Sequence, residues 1–419
     1  MTRSQQFIVY RDELLAGSET FILAQSESLP HFQPVYVGLR RRPGLILPET
    51  RVHIISSNGF AGKLQRARFR QLGLSRRLQS TLAAKHPVLI HAHFGPDGCN
   101  AISVAQALNI PLVVTLHGYD VTVKDDMMPR RYIKRRHLLQ SHAARFICVS
   151  EFIRQQAIAK GFLAEKTLVH YTGVDIAFFN PRPMADRSPV ILFVGRLVPK
   201  KGCEYLIRAM ARVQEVMPNA ELVIIGDGPL RQALERQASS VLKAFHFLGA
   251  QAPLVVKDWM NRAMVFSTPS VIADSGDAEG FGMVFAEAQA MGLPVVSFAS
   301  GGIPEAVAQD RTGFLVAERD CDALANKLLL LLQDACLWNR LSQAGQENTR
   351  RLFDIRKQAA ALEDIYESTQ MGWDGAVARA MRAAQRVTQI DAPGFQAEPR
   401  RREKYLDGPN AGVALSSRK

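Results

Sequence analysis

The sequence predicts an α/β protein with two domains, each a doubly wound parallel sheet covered by helices on both faces. Short runs of Val, Ile and Leu alternate with helical patterns, which is typical of strands buried inside a parallel sheet. The alternation occurs twice, and residues 172–189, with three prolines and no apolar period, separate the two series. A chain of 419 residues is long enough for two such domains.

The first series predicts a domain over residues 1–180. Its expected strands are 7–10, 34–39, 52–56, 87–94, 111–117, 146–150 and 167–171, and its helices are near 20–29, 62–85, 99–108, 130–142 and 151–160. Each strand is a continuous apolar run, and each helix has the spacing of a helix that buries one face.

The second series predicts a domain over residues 181–353, terminal helices over 354–387 that could cross back to the first domain, and a mobile tail over 388–419. Its expected strands are 190–194, 221–225, 245–248, 263–270, 294–300 and 313–316, with helices near 203–216, 230–240, 254–261, 282–291, 320–333, 336–346 and 354–369. The tail has no apolar periodicity.

Positive charge is concentrated in the first domain. The net charge is +13; residues 1–180 carry 23 Lys and Arg against 12 Asp and Glu, which leaves only +2 for the rest. Basic clusters at 40–42, 63–77 and 130–136 suit an anionic membrane surface, a polyanionic substrate or nucleic acid, although any one of them also fits a plain solvated face.

Composition indicates a cytoplasmic protein. The five cysteines are scattered without a C-x-x-C pair, as expected of free thiols in a reducing compartment. The apolar run at residues 7–10 is too short for a signal peptide, and no run reaches the length of a membrane span. We therefore expect cytoplasmic localisation, with the inner face of the plasma membrane as a candidate docking surface for the basic domain.

The stretch from residue 274 to 292, D-S-G-D-A-E-G-F-G-M-V-F-A-E-A-Q-A-M-G, predicts a binding site. It joins the end of one strand to a helix, which is where ligands of doubly wound sheets bind. Gly280 and Gly282, on either side of Phe281, allow close approach of the backbone, and the free N–H groups of the first helical turn favour an anion such as a diphosphate. Glu287, about 8 Å further along the helix, suits two ribose hydroxyls, and Glu279 suits a sugar on the other side of the phosphates.

Two further strand ends carry candidate ligand groups. G-R-L-V-P-K-K-G at 195–202 places Arg196 and Lys201 where they could hold a diphosphate and stabilise its charge as it leaves. T-L-H-G-Y-D at 115–120 places His117 at a strand tip, where an imidazole can hydrogen-bond a sugar hydroxyl or a leaving phosphate, with Asp120 as a candidate loop cap. His91 and His93 share one face of a strand but lack a third metal ligand, which favours a role in the core or behind the site.

These motifs together resemble the retaining glycosyltransferases of family 4. The resemblance covers about residues 7–370 and rests on E-x7-E with an internal G-F-G, on G-R-x-x-x-x-K-G, on G-D-G-P at 226–229 and on T-x-H-x-x-D. It implies the GT-B fold, in which two Rossmann-like domains face a cleft. The S-E-T-F-I, H-A-H-F-G-P-D-G and T-L-H-G-Y-D-V-T segments resemble the branch that builds exopolysaccharides such as colanic acid or amylovoran.

The resemblance also implies roles for individual residues. His117, Arg196, Lys201 and Glu279 would be catalytic, with His117 contacting the donor sugar and Glu279 sometimes proposed for more than sugar binding. Attack would be from the front face, with the leaving diphosphate helping to remove the acceptor proton. The residues expected to bind the donor are Gly17, Ser18, Gly226, Gly228, Gly280, Phe281, Gly282 and Glu287; Ser18 departs from the family's usual Gly-Gly turn.

No cofactor and no required metal are predicted. The only Asp-x-Asp, at 320–322, fits the start of a helix, with its first residue as the N-cap. A G-x-G without its third glycine at 226–231 makes NAD a weak alternative.

The sequence therefore predicts a retaining hexosyltransferase that uses a UDP-, GDP- or ADP-linked sugar and a lipid-linked acceptor in cell-surface or exopolysaccharide biosynthesis. The alternatives are a sugar-nucleotide epimerase and a non-catalytic protein that binds nucleotide sugars. Nucleic-acid binding would explain the positive charge, but no reader motif or basic-aromatic array accompanies it, so no nucleic-acid partner is expected.

Overall fold

The computed structural model of the protein describes residues 4–17, 19–42, 44–182 and 187–390, the last part with backbone only from residue 377. The chain divides into two units, Met1–Trp373 and Asp374–Lys419. Of the second unit, the structure describes residues 374–390, which are helical, so the predicted tail lies almost wholly outside the described residues.

A parallel sheet of seven strands occupies the first part of the described chain. The strands are β1 (Gln5–Leu14), β2 (Phe32–Arg41), β3 (Val52–Ile54), β4 (Pro87–His93), β5 (Leu112–Leu116), β6 (Arg145–Cys148) and β7 (Thr167–Val169). Their order is β3-β2-β1-β4-β5-β6-β7, so the winding direction changes between β1 and β4. Residues 7–10 of β1 are fully buried, as the continuous apolar run predicts.

Helices cover both faces of this sheet. They are α1 (Thr20–Glu27), α2 (Gly59–Leu72), α3 (Arg76–Ala83), α4 (Gly95–Leu108), α5 (Tyr119–Thr122), α6 (Arg130–His142) and α7 (Glu151–Ala159). One expected helix, 62–85, is two helices. Gly73 has a φ of +75° and ends α2, and the Ser75 side chain accepts from the Leu78 N–H at 3.3 Å to begin α3.

A second parallel sheet follows, with six strands within the described residues. They are β8 (Ser188–Val194), β9 (Glu221–Ile225), β10 (Phe245–Gly249), β11 (Ala263–Phe266), β12 (Val295–Phe298) and β13 (Gly313–Val316), in the order β10-β9-β8-β11-β12-β13. The prediction of two doubly wound parallel sheets is confirmed. We call the part around the first sheet the amino lobe and the part around the second the carboxyl lobe.

The helices of the carboxyl lobe connect and cover these strands. They are α8 (Cys203–Val216), α9 (Arg231–Val241), α10 (Pro253–Arg262), α11 (Met283–Ala290), α12 (Ile303–Ala306), α13 (Cys321–Gln333) and α14 (Ala335–Leu352). The Asp320 side chain accepts from the Ala323 N–H at 2.9 Å at the start of α13, so the residue is the N-cap that the sequence predicts.

The chain crosses between the lobes twice, at adjacent positions. Val174 N–H donates to the Phe353 carbonyl at 2.7 Å, and Ile355 N–H donates to the Val174 carbonyl at 3.0 Å. The last helix, α15 (Ile355–Ile390), then packs Leu362 and Tyr366 against the apolar face of β1. The terminal helix therefore buries its first turns on the amino lobe, whereas the exact domain boundaries stay a prediction.

Candidate active site

Two charged loops lie next to each other at the carboxyl ends of the second sheet. Because the winding direction changes between β8 and β11, the loops after these strands diverge and leave a crevice between them. The loop after β8 carries Arg196 and Lys201, and the loop after β11 carries Glu279. The fold thus joins two motifs that lie 78 residues apart in the chain.

Lys201 and Glu279 form an ion pair in this crevice. Their side chains are 13% and 12% exposed, and the Ser270 hydroxyl donates to the same carboxylate at 3.5 Å. Burial alone would raise the pKa of Glu279, but Lys201, Lys200 and Arg196 outweigh it and lower the pKa to about 2. Glu279 is therefore ionised at neutral pH.

The other two cations of the loop differ in their surroundings. Lys200 is bound within the protein, since its ammonium donates to the Asp277 carboxylate at 2.9 Å and to the Ala278 carbonyl at 3.3 Å. Arg196 is exposed, and no carboxylate in the described part of the chain pairs with it. Of these side chains, Arg196 is the one most open to an incoming anion.

Helix α11 begins at the floor of the crevice. Its N-cap, Gly282, has a φ of +83°, and a Cβ at this position would lie 2.4 Å from Cδ2 of Phe285. Only glycine fits this turn. In the first helical turn the Phe285 N–H donates to the Gly282 carbonyl at 2.9 Å, whereas the N–H groups of Met283 and Val284 have no acceptor in the described part of the chain. One turn further, Glu287 is partly buried, and burial raises its pKa to about 7.

In the amino lobe, Asp120 shapes the loop after β5. Its Oδ1 accepts from the backbone N–H groups of His117 at 3.1 Å and Gly118 at 3.0 Å, and its Oδ2 accepts from Gly95 N–H at 3.0 Å. Burial raises the pKa of Asp120 to about 6, although these three hydrogen bonds favour the carboxylate. Asp120 is the loop cap that the sequence indicates.

The His117 ring is enclosed by other rings. Its centroid lies 4.5 Å from that of Phe94 and 5.2 Å from that of Phe21, and its Nε2 lies 3.1 Å from Nδ1 of His93. Burial, with a smaller effect of the Arg11 charge, lowers the pKa of His117 well below its usual value. The imidazole is therefore neutral at pH 7.

The His117 loop and the Glu279 loop touch across the cleft. A Cβ on Gly280 would lie 2.2 Å from the His117 carbonyl oxygen, so a larger residue would force the two loops apart. The Ser150 hydroxyl donates to the Gly280 carbonyl at 2.5 Å, and Lys124 N–H donates to the Ser275 carbonyl at 2.9 Å. The loop that carries His117 and the loop that carries Glu279 are therefore in direct contact.

A second contact between the lobes lies beside the first. Glu305, in α12, accepts from the backbone N–H groups of Glu151 at 2.7 Å and Phe152 at 2.9 Å, and from the Tyr171 hydroxyl at 3.1 Å. A carboxylate of the carboxyl lobe thus accepts hydrogen bonds from the first N–H groups of α7, a helix of the amino lobe. These contacts set the separation of the His117 loop from the charged crevice.

Comparison with known proteins identifies the family. Residues 16–178 match the family described as Glycosyltransferase Family 4, and residues 188–334 match the one described as Glycosyl transferases group 1. The chain belongs to glycosyltransferase family 4. The resemblance deduced from the motifs is confirmed.

Three similar proteins show the extent of the likeness. A GDP-mannose-dependent phosphatidylinositol monomannoside mannosyltransferase of Mycolicibacterium smegmatis is 31% identical over 61% of this chain and 69% of its own length. A GDP-mannose-dependent mannosyltransferase of Corynebacterium glutamicum, named for monoacylated phosphatidylinositol monomannoside, is 35% identical over 47% of this chain. A protein of Escherichia coli named as a colanic acid biosynthesis glycosyltransferase, WcaL, is 33% identical over 58% of this chain. The chain spans 55% and 61% of the length of these last two proteins.

Solved structures confirm the GT-B fold. Anabaena HepE, crystallised with UDP and glucose, superposes with a TM-score of 0.72 over 87% of this chain and all of that one, at 20% identity. At this identity the likeness concerns the fold alone. The arrangement of two Rossmann-like domains facing a cleft is thereby established for this family 4 protein.

Other predicted donor-binding residues have clear packing roles. A Cβ on Gly226 would lie 1.9 Å from the Gly195 carbonyl oxygen, and one on Gly228 would lie 2.4 Å from the Leu197 carbonyl oxygen, so both glycines let two loops pack together. The buried ring of Phe281 packs 5.0 Å from that of Phe353, which leaves its backbone for any ligand contact. Their roles in donor binding stay predictions.

The loop after β1 is only partly described. Gly17 is exposed, with open space where a side chain would be, and Ser18 lies outside the described residues. Next to them, Glu19 is buried and pairs with Arg11, which also pairs with Asp97. The prediction that Gly17 and Ser18 bind the donor is not tested.

Sequence reasoning missed Glu305 and placed His93 correctly. Glu305 lies in G-G-I-P-E, just after the end of β12, so its position at the active edge of the second sheet is a signal that could have identified it. His93 was assigned to the core or to a place behind the site, and its hydrogen bond to His117 puts it in the second of these positions.

The described residues hold no cluster of three or more His, Cys, Asp or Glu side chains placed to bind a metal ion. Positive charge in the crevice comes from Arg196, Lys201 and the start of α11. These are groups that can neutralise a diphosphate, and whether activity needs a metal is a question for the chelator experiment below.

No helix in the described ranges is long and apolar enough to cross a membrane.

Proposed function

We propose that the protein is a retaining hexosyltransferase, which transfers a hexose from a nucleoside-diphosphate sugar to a hydroxyl of a lipid-linked sugar in cell-surface or exopolysaccharide biosynthesis. The proposal rests mainly on one observation: the loop that carries the neutral His117 ring contacts the cationic crevice of the other lobe, where Gly280 packs against the His117 carbonyl oxygen. Membership of glycosyltransferase family 4 supports the reaction class.

The charges indicate how a donor would lie. Its diphosphate would occupy the crevice between Arg196, Lys201 and the start of α11, where N–H groups and cations favour an anion. Its ribose would reach Glu287, whose carboxylate has no cation beside it among the described residues. Its hexose would lie between Glu279 and the His117 ring, which is neutral and suits hydroxyl groups.

The bonding changes follow from this placement. The acceptor oxygen forms its bond to the anomeric carbon on the face from which the diphosphate departs. The electron pair of the broken bond stays on the diphosphate, stabilised by Arg196 and Lys201, and the acceptor proton passes to a diphosphate oxygen. No protein nucleophile is needed, which agrees with a Glu279 carboxylate already occupied by Lys201.

A donor screen followed by product analysis tests this function. Thermal unfolding with UDP, GDP, ADP and their sugar conjugates should reveal a nucleotide that raises the Tm, because a ligand of the folded state stabilises it. With that donor, transfer should give an α-linked product from an α-linked donor, as read from the anomeric proton coupling. Inversion of the anomeric configuration would contradict a retaining mechanism.

The same assay separates the alternatives. An epimerase would convert the sugar of the nucleotide conjugate without releasing nucleoside diphosphate. A non-catalytic binding protein would bind the donor without even slow hydrolysis, and DNA binding without any sugar-nucleotide hydrolysis would indicate a nucleic-acid binder. Release of nucleoside diphosphate with glycosylated acceptor excludes all three.

We also propose that α2 places the amino lobe on an anionic membrane surface, where a lipid-linked acceptor would be found. Phe60, Leu64 and Leu72 are 76%, 59% and 74% exposed on this helix, interspersed with Lys63 and with arginines at 66, 68 and 70. Exposed apolar side chains beside basic ones, with no acidic residue in the helix, fit a membrane interface.

Vesicle sedimentation tests this docking. The protein should bind vesicles containing phosphatidylglycerol at low salt, less at high salt, and weakly to neutral phosphatidylcholine vesicles. Replacing both Phe60 and Leu64 by Ser should weaken binding, whereas Leu254→Ser, at a 66% exposed position of α10, should not. Vesicle binding that is unchanged by salt concentration and by the α2 substitutions would contradict the proposal.

A further inference from the structure

His93 is a fully buried histidine that touches the site through one ring nitrogen. It ends β4, and its Nδ1 lies 3.1 Å from Nε2 of His117. Its other ring nitrogen, Nε2, is shielded from solvent and has no hydrogen-bond partner within the described residues. The two nitrogens of one buried ring therefore have very different surroundings.

Both rings are neutral, so a single proton lies between them. Burial is the main reason that the pKa of each histidine lies well below its usual value, and the nearby Arg11 charge adds to it. The Arg11 guanidinium also donates to the His93 carbonyl at 3.3 Å, which holds this cation beside the pair. A neutral imidazole has one donor and one acceptor, so either His93 or His117 donates.

The Nε2 atom of His93, which has no hydrogen-bond partner within the described residues, indicates whether His93 or His117 is the donor. If His117 donated, the proton of His93 would be on Nε2, which would leave a buried N–H group without an acceptor. Buried N–H groups without an acceptor are rarer in folded proteins than buried acceptors without a donor, and they are unfavourable. If His93 donates through Nδ1, its Nε2 carries only a lone pair.

We propose that His93 is a positioning residue that donates its Nδ1 hydrogen to Nε2 of His117 and thereby fixes His117 in the Nδ1–H tautomer. His117 then presents a hydrogen-bond donor to the ligand. Its Nδ1 has no partner among the described residues, and the rings of Phe94 and Phe21 restrict rotation of the imidazole. The identity of the ligand, the nucleotide sugar, rests on the proposed function.

The tautomer limits the role of His117. With Nε2 occupied by the His93 proton and Nδ1 protonated, the ring has no free lone pair with which to remove a proton. It can donate to a hexose hydroxyl oxygen or to a phosphate oxygen. His117 would therefore orient the donor or stabilise the departing diphosphate, and the acceptor proton would go elsewhere.

Nitrogen NMR of the unliganded protein tests the tautomer directly. The chain has ten histidines, so labelling with ¹⁵N-histidine gives few signals, and those of His93 and His117 are identified by their loss in His93→Phe and His117→Gln. Multiple-bond ¹H–¹⁵N spectra near pH 7.5 should show Nδ1 protonated in both residues. A His117 protonated at Nε2 in the wild type would overturn the proposal.

Two substitutions at His93 test the positioning role. Phe keeps the ring packing but has no N–H, whereas Asn places an amide N–H near the position of Nδ1. His93→Phe should release His117 into a mixture of tautomers and lower kcat about tenfold, while His93→Asn should keep the Nδ1–H tautomer and stay within about threefold of the wild type. Equal kcat losses for Phe and Asn, with His117 unchanged in both spectra, would overturn the role.

The transfer assay and the NMR spectra test the proposed function and the tautomer independently. If the wild type transfers no sugar from any donor, the proposed function is wrong, yet the spectra still decide which nitrogen of His117 is protonated. If transfer proceeds and His117 is protonated at Nε2, the function stands and the role of His93 falls.

Discussion

Glu279 and Glu287 lie in the same stretch of sequence but in opposite electrostatic surroundings. Lys201 pairs with Glu279, and the cations of the loop after β8 lower the pKa of Glu279 to about 2 despite burial. Glu287 has no such partner among the residues that the structure describes, and burial raises its pKa to about 7. The first carboxylate is already satisfied by the protein, whereas the second gains most from hydrogen bonds that a ligand would supply.

The two glutamates are therefore suited to different tasks: the loop around Glu279 to binding a charged diphosphate, and Glu287 to binding a pair of hydroxyl groups. The loop around Glu279 is organised in advance by ion pairs, so its cations are in place before a diphosphate arrives. The helix around Glu287 carries an unfavourable carboxylate, a form of local instability that functional sites often retain. Substitutions at the cations, at His117 and at Glu287 should therefore have different kinetic effects.

The largest effect is expected at the cations and at His117. Arg196→Ala or His117→Ala should lower kcat by roughly 10²–10³-fold, a larger effect than the rise of about tenfold in donor KM that loss of the diphosphate contact in Arg196→Ala should also cause, because each group would act mainly on the departing diphosphate or the reacting sugar. Steady-state kinetics with the donor found in the screen measures this. Arg236→Ala, at an exposed arginine of α9, is the matched control, and an intact kcat in either site variant would refute its assigned role.

Glu287→Ala should act on binding. Loss of a carboxylate that accepts two hydroxyl hydrogen bonds should raise the donor KM about tenfold or more while kcat changes little. The same kinetics, run over a range of donor concentrations, separates the two parameters. A fall in kcat at unchanged KM would reverse the roles given to the two glutamates.

The pH dependence of donor binding should also depend on Glu287. Its raised pKa of about 7 means that the carboxyl becomes protonated as the pH falls through neutrality, and a protonated carboxyl is a poorer acceptor. The donor KM should therefore rise as the pH falls from 8 to 6. Glu287→Gln should have a higher KM that varies little over this range; persistence of the full pH dependence in this variant would point to another group.

A smaller effect is expected on stability. A carboxyl whose pKa is raised on folding favours the folded state at low pH, and that contribution is lost as the pH rises from the unfolded value through about 7. Glu287→Gln removes the unfavourable charge and should raise the Tm at pH 8 by a few degrees, with little gain at pH 5. Glu347→Gln, at an exposed position of α14, should show no such gain; a lower Tm for Glu287→Gln at pH 8 would contradict the account.

Activity in excess chelator distinguishes protein cations from a metal ion. Because Arg196, Lys201 and the start of α11 can neutralise the diphosphate, transfer should continue undiminished in EDTA. Loss of activity in EDTA, restored by a divalent cation, would contradict this assignment.

Much of the architecture could be predicted from the sequence, because strands buried on both faces of a sheet consist of continuous apolar residues. Residues 7–10 and 190–194 are examples. The break at Gly73 was missed, since a single glycine inside a helical pattern is often tolerated. In the site, the motifs identified His117, Arg196, Lys201 and the two glutamates, but partners such as Glu305 and His93 depend on which loops meet in space. Sequence spacing within one motif does not contain that information.

The central claim is that the crevice between β8 and β11 binds the diphosphate of a nucleotide sugar. Calorimetric titration of UDP, GDP and ADP into the wild type, Arg196→Ala and Arg236→Ala tests it most directly. The account predicts that one of these nucleotides binds the wild type and Arg236→Ala with equal affinity and binds Arg196→Ala at least about tenfold more weakly. Failure of all three nucleotides to bind, or equal binding to Arg196→Ala, would contradict it.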